Sequence, residues 1–116
     1  MSSVLLVGLD PRLAPGADAA AVSSLIDTDM ARLRERGVDT ATALVPLDES
    51  TESTLAGALA ERPWDVVVIG GGIRKPAQLV TLFEKVVNLV RQHAPQAAIA
   101  FNTNPGDSAE AALRWL

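Results

Sequence analysis

The stretch Trp64-Asp65-Val66-Val67-Val68-Ile69-Gly70-Gly71-Gly72-Ile73-Arg74-Lys75-Pro76 decides how the rest of the chain is read. Four β-branched apolar residues follow one another without polar alternation. Such a run suits a strand buried on both faces, as in a parallel sheet covered by helices on each side. It ends in three glycines, which leave the backbone amides open to close approach because no Cβ stands in the way. Two cations and a proline follow, and proline is favoured in the first turn of a helix.

Working outward from this strand, the downstream chain predicts a helix from Pro76 to about Ala94. Its apolar face is Leu79, Leu82, Phe83, Val86, Val87 and Val90, opposite Thr81, Lys85, Asn88 and Gln92. Pro95 stops it, and Ala97 to Phe101 reads as another strand. A polar loop, Asn102-Thr103-Asn104-Pro105-Gly106, leads to a last helix. Asp107 with Glu110 makes a capping-box-like start for that helix, with Ala109, Leu113 and Leu116 facing inward.

Upstream, Val4 to Val7 predicts a short buried strand. The connection from Gly8 to about Asp18 holds Pro11, Pro15 and Gly16, and it is longer than the usual strand-to-helix loop of about 2–6 residues. Asp18 is placed to cap a helix with Val22, Leu25, Ile26, Met30 and Leu33 at helical spacing, and Gly37 to end it. A strand over Thr40 to Val45 and the acidic turn Asp48-Glu49-Ser50-Thr51-Glu52 come next. Leu55 and Leu59 mark the inner face of a short alanine-rich helix, which Pro63 ends.

Strand and helix therefore alternate four times, with no internal repeat or linker. The prediction is one α/β domain over residues 1–116: a three-layer, flavodoxin-like parallel sheet of four strands, in the order 2-1-3-4 that right-handed crossovers favour. A sheet this small leaves strand 4 at an edge, where pairing with a second copy of the chain is expected.

Composition narrows the function classes. Apolar residues make up 48% of the 116 residues, as in a folded globular protein. A net charge of −4 and few aromatics (Trp64, Phe83, Phe101 and Trp115, with no tyrosine) argue against a nucleic-acid partner. The absence of cysteine removes disulfide and thiolate chemistry, and one histidine, His93, makes a histidine-based metal site unexpected. Val4 to Val7 is too short for a signal-peptide core and lacks a basic flank, and no apolar run reaches membrane-spanning length. The expectation is a cytoplasmic protein without a membrane partner. The sequence specifies no cofactor.

In a doubly wound sheet, ligands bind beyond the carboxyl ends of the strands where neighbouring crossovers leave to opposite faces. For the order 2-1-3-4 that crevice lies between strands 1 and 3. It would gather Gly8, Asp10 and Arg12 from one loop, Gly70, Gly71, Gly72, Arg74 and Lys75 from the next, and Asn102 and Asn104 beside them. Glycine amides with two or three cations favour a phosphate or carboxylate. Neither nucleotide signature is complete: the third glycine of G-x-G-x-x-G is missing, and no Gly-Lys-Ser/Thr occurs. Asp10, at a strand end, is the one candidate for general acid/base, nucleophilic or ligating work, although capping its loop or pairing with Arg12 is the simpler role. His93 falls at the far end of its helix. Asp48, Glu49 and Glu52 read as a solvated turn.

Asp65 to Gly72, the helix that follows, and Pro95-Gln96-Ala97-Ala98-Ile99 together resemble the core of the SGNH (GDSL-type) hydrolases over about half the chain. The resemblance implies a flavodoxin-like fold. The family's catalytic residues do not carry over. Gly8-Leu9-Asp10 stands at the nucleophilic serine motif, Gly72-Ile73-Arg74 at the oxyanion-hole Asn, and no Asp-x-x-His follows. Without the serine and histidine of those motifs there is no nucleophile–base pair for acyl transfer. The favoured reading is binding of a small anionic molecule at the carboxyl edge. Two alternatives stand beside it: an enzyme acting on such a molecule, with Asp10 as acid/base and Arg74 as electrostatic stabiliser, and a non-catalytic module that dimerises on the strand-4 side around Leu113 and Trp115.

Overall fold

Strands β1 (Ser3–Leu9), β2 (Asp39–Val45), β3 (Val66–Ile69) and β4 (Ala98–Phe101) form one parallel sheet in the order β2-β1-β3-β4, the predicted arrangement. The computed structural model describes residues 2–14, 16 and 18–116. Met1, Ala17 and Pro15, the last named above in the long connection, lie outside the described residues. Helices α1 (Ala19–Glu35), α2 (Thr51–Ala60), α3 (Gly71–Arg74), α4 (Val80–His93) and α5 (Ser108–Leu113) complete the chain. Among the described residues no helix is long and apolar enough to cross a membrane.

The unalternated apolar runs are explained by two cores, one on each face of the sheet. In β1, Leu5, Val7 and Leu9 point to one core while Val4 and Leu6 point to the other; in β3, Val67 and Ile69 part in the same way from Val66 and Val68. The first core lies under α2 and α4 and holds Leu55, Leu59, Val86, Leu89 and Val90. The second lies under α1 and α5 and holds Ile26, Met30, Leu33, Ala109 and Ala112. Each residue of β1 and β3 thus loses its water on whichever side it points, and a polar residue at one of the core positions would be desolvated.

Trp64, just before β3, is fully buried in the first core. Its indole N–H donates to the Ala58 carbonyl near the end of α2 at 2.9 Å, and the Arg62 guanidinium lies 5.1 Å from the ring centroid. A buried indole needs such an acceptor, and here the same bond joins α2 to the start of the central strand.

Several predicted details differ. Pro76 does not open the long helix. Gly71–Arg74 coils first as α3, Pro76 precedes a single 3₁₀ turn (Ala77–Leu79), and α4 begins at Val80. Proline still serves as a helix-entry residue, one turn earlier in the path than expected. Asp18 caps α1 as predicted, accepting the Ala21 amide at 3.1 Å, and Gly37 ends that helix region at a φ of 79°.

The capping box at Asp107 does not form. The Asp107 carboxylate turns back to its own loop, accepting the Thr103 and Asn104 amides and the Thr103 hydroxyl. Leu116, expected to face inward, is 44% exposed. The α5 cap comes instead from α1: buried Asp29 accepts the Ala109 amide at 2.7 Å, across 80 residues of sequence. A free amide at the start of α5 and a carboxylate in the apolar stripe of α1 satisfy one another, which docks the two helices.

The second Asp29 oxygen, Oδ1, has no hydrogen-bond partner, and Arg32 lies 3.7 Å away on the solvent side. Burial pushes the Asp29 carboxyl above its ordinary value of 3.8; the Ala109 amide and Arg32 offset this only in part. Folded Asp29 therefore takes up its proton at higher pH than the unfolded chain does. Its favourable contribution is complete below that ordinary value and is lost as pH rises through the raised one. In chemical denaturation at a series of pH values, Asp29→Asn should gain on the wild type as pH rises above the ordinary carboxyl value of 3.8. A difference that stays constant with pH would show that the carboxyl is not raised.

Candidate functional site

A cleft of about 300 Å³ opens at the carboxyl ends of β1 and β3, at the point where the sheet order reverses. Part of its lining is Leu6 and Gly8 of β1, Leu44 of β2, and Val22 and Ile26 from the first turns of α1. Leu9, Pro11 and Ala14 form one wall, and Gly70, Gly71, Gly72 and Pro76 the other. Exposed Lys75 and Asn104, half-buried Pro105 and buried Asn102 complete the lining.

Glycine is required on the second wall because two backbones meet there. Gly70 donates its amide to the Val7 carbonyl at 2.8 Å, which continues the sheet one residue past β3. A Cβ at Gly72 would sit 3.3 Å from Leu9 Cβ, closer than packed carbons ordinarily approach. The glycine run thus lets the turn into α3 press against the end of β1.

Asn102 holds this turn in place. Its side chain is buried just past β4; Oδ1 accepts the Gly71 amide at 3.1 Å and an Arg74 N–H at 3.0 Å, while Nδ2 donates to the buried Ser108 hydroxyl at 3.0 Å. One carboxamide therefore joins the β3–α3 turn, Arg74 and the first residue of α5. A buried amide with both ends engaged fixes its neighbours as well as itself.

The cations expected at the crevice are mostly engaged elsewhere. Arg74 donates Nε–H to the Ile69 carbonyl at 2.9 Å and Nη2–H to the carbonyl and side chain of Asn102, and its guanidinium lies 5.1 Å from the Phe101 ring centroid. Burial draws its pKa below the ordinary arginine value, and it remains a cation. Its role is to close the carboxyl ends of β3 and β4, and it does not line the cleft.

Arg12 forms a two-toothed pair with Asp10, with N···O distances of 2.6 to 3.2 Å, and points away from the cleft into solvent. Asp10 also accepts the Arg12 amide and so caps the 3₁₀ turn Pro11–Leu13. The Arg12 side chain first, and its amide second, hold the Asp10 carboxyl below the usual carboxylate value. A carboxylate so engaged is a weak base at neutral pH. Its visible work is to set the turn that carries Pro11 and Ala14 into the cleft wall.

Lys75 is the one charged residue among the described residues lining the cleft. Its stem folds back over Gly71, whose absent Cβ would meet Lys75 Cε at 3.1 Å, and its ammonium donates to the Thr103 carbonyl at 2.7 Å. Lysine carries three donors, so two N–H directions remain for a ligand or water. Asn104 contributes less, because its Oδ1 accepts the Gly106 amide at 2.7 Å.

The structure thus brings Gly8, Gly70, Gly71, Gly72, Lys75, Asn102 and Asn104 to one cleft and leaves Asp10, Arg12 and Arg74 outside its lining. Sequence reading missed the apolar wall. Val22 and Ile26 belong to the core stripe of α1 as expected, and they line the cleft as well, because a helix that follows β1 starts beside the carboxyl edge. His93 lies in the last turn of α4, away from this edge. The acidic turn is internally satisfied: Asp48 accepts from Ser50, and Glu52 pairs with Lys85 at 3.5 Å. Among the described residues, no group of three His, Asp or Glu side chains is placed to hold a metal ion.

No protein-family model and no curated protein matches the chain. Among solved structures, a fragment described as a "putative lipoprotein" from Peptoclostridium difficile 630 is similar at a TM-score of 0.48 and 14% identity, over 97% of this chain and 93% of that one. At that level the neighbour's description carries nothing over to this protein.

Replacing Asn102 by Ala leaves the Gly71 amide and the Ser108 hydroxyl without their partner. Urea unfolding should show a loss of about 2–4 kcal/mol, the range for a buried group with several hydrogen bonds. A loss below about 0.5 kcal/mol would mean that the carboxamide is not what joins the two loops.

Proposed function

We propose that this protein binds a small molecule in the cleft between β1 and β3, with an apolar body against the aliphatic walls and a polar or anionic end toward Lys75. The observation that carries this reading is the cleft itself: concave, walled by aliphatic side chains and glycine backbone, at the topological switch point of a parallel sheet. Pockets of this kind, with few polar groups among apolar walls, are the usual form of small-molecule sites. The anion expected from the sequence now rests on Lys75 alone, since Arg12 and Arg74 have protein partners. Binding is favoured over catalysis because the one candidate acid/base, Asp10, is held ionised by Arg12 and lies outside the lining.

A second reading, association of two copies along β4, has a specific observation in its favour. Phe101 at the open edge is 43% exposed, and Trp115, just beyond α5, is 60% exposed. Exposed aromatics beside an unpaired strand edge suit an interface. Sedimentation velocity at about 50 µM should then show dimer in the wild type and monomer in Phe101→Lys; a monomeric wild type removes this reading.

For the cleft, a suitable probe is 1-anilinonaphthalene-8-sulfonate, an apolar ring system with one anionic group. Ala14→Phe enlarges a half-buried lining residue of the cleft that also packs at the border of the first core, so thermal stability is measured beside binding. The probe should bind the folded wild type saturably, and the substitution should weaken binding by about tenfold or more at unchanged thermal stability. Equal binding by both proteins would place the probe elsewhere and count against the cleft.

A further inference from the structure

The lining of the cleft is uneven. Lys75, its one charged residue among the described residues, is exposed, whereas at the other extreme Ile26 is buried and Leu44 half-buried. Those same two side chains form the wall of a neighbouring cavity of about 270 Å³, lined otherwise by Ser23, Asp27 and Thr42. Leu44 and Ile26 therefore border both hollows beside α1. Leu44 reaches this position by leaning over Gly8, where a Cβ would meet its Cδ2 at 3.2 Å.

Apart from Lys75 the described lining holds no charged side chain, and the amide group of Asn102 is engaged by protein partners. A ligand body rich in hydroxyls or amides would be desolvated there without replacement bonds, which is unfavourable. A hydrocarbon body loses nothing. The only complementary charge available to it is an anion beside Lys75. A dry cavity of 150 Å³ holds a six-carbon ring, so one of about 300 Å³ takes roughly ten carbons.

Resting on the binding reading above, we propose that the cleft takes an unbranched aliphatic monocarboxylate of about ten carbons. The carboxylate meets the Lys75 ammonium, and the chain runs inward between Pro11 and the glycine wall to stop against Leu44 and Ile26. Leu44 is then the residue that sets chain length. A shorter side chain there joins the two hollows and lengthens the track.

The experiment is calorimetric titration of the full chain with straight-chain carboxylates of four to fourteen carbons and with the matching 1-alkanols, all below their micellar concentrations. Affinity should rise about three- to fourfold per methylene and level off near ten carbons. Acids should bind about tenfold tighter than alkanols, and Lys75→Gln should abolish that difference while keeping the chain-length limit. Leu44→Ala, at a half-buried position of an edge strand, should move the limit outward by about the three carbons it removes.

Acids and alkanols binding alike, or a limit that does not move in a folded Leu44→Ala, would overturn the proposal. Binding of indole or naphthalene without binding of chains would also overturn it and leave the cleft as a site for rings. If none of these probes binds, the binding reading falls together with the proposal.

Discussion

The carboxamide of Asn102 is the contact on which the carboxyl edge of this sheet depends. Strand ends in a parallel sheet leave amides and carbonyls with no neighbour, and the loops that follow must satisfy them without filling the space a ligand would use. Here one side chain accepts from the Gly71 amide and Arg74 and donates to Ser108. The β3–α3 turn and the start of α5 are therefore held as one unit. Arg74 completes the closure by capping the Ile69 and Asn102 carbonyls under the Phe101 ring.

This arrangement has a cost in function that the composition alone conceals. The polar groups nearest the crevice are those that build it, so few are left to meet a ligand. Asn102 and Arg74 look like ligand-binding residues in a linear sequence and are structural in three dimensions. Asp10 and Arg12 neutralise one another on the outer face of the wall they shape. What faces the hollow is hydrocarbon, glycine backbone, two asparagines already engaged by the protein, and one lysine. A ligand there would gain mainly by burial of apolar surface, with the single charge favouring one orientation.

The fold was legible because its strongest signals are local. The run Val66 to Ile69 can be satisfied only by apolar cover on both faces, and alternating strands and helices with right-handed crossovers leave few topologies. The position of the cleft followed from topology for the same reason. Its chemistry did not, because pairing partners are set by contacts remote in sequence: Arg74 meets Asn102 across 28 residues, and Asp29 caps α5 across 80. Asp29 did leave a trace. A carboxylate between Ile26 and Leu33, on the same stripe as Met30, breaks the apolar face of α1 and needs a partner across the core. Asp107 misled for the opposite reason, since a capping-box spacing is compatible with a loop that claims the carboxylate first.

The central claim is that Asn102 makes the crevice a preformed part of the fold. Amide hydrogen exchange of the Gly71 N–H, followed by NMR in the protein without added ligand, tests it most directly. A bond to a buried carboxamide predicts protection comparable to the β3 amides, with exchange through global unfolding. Exchange of Gly71 at the rate of the exposed loop amides, with β3 still protected, would contradict it.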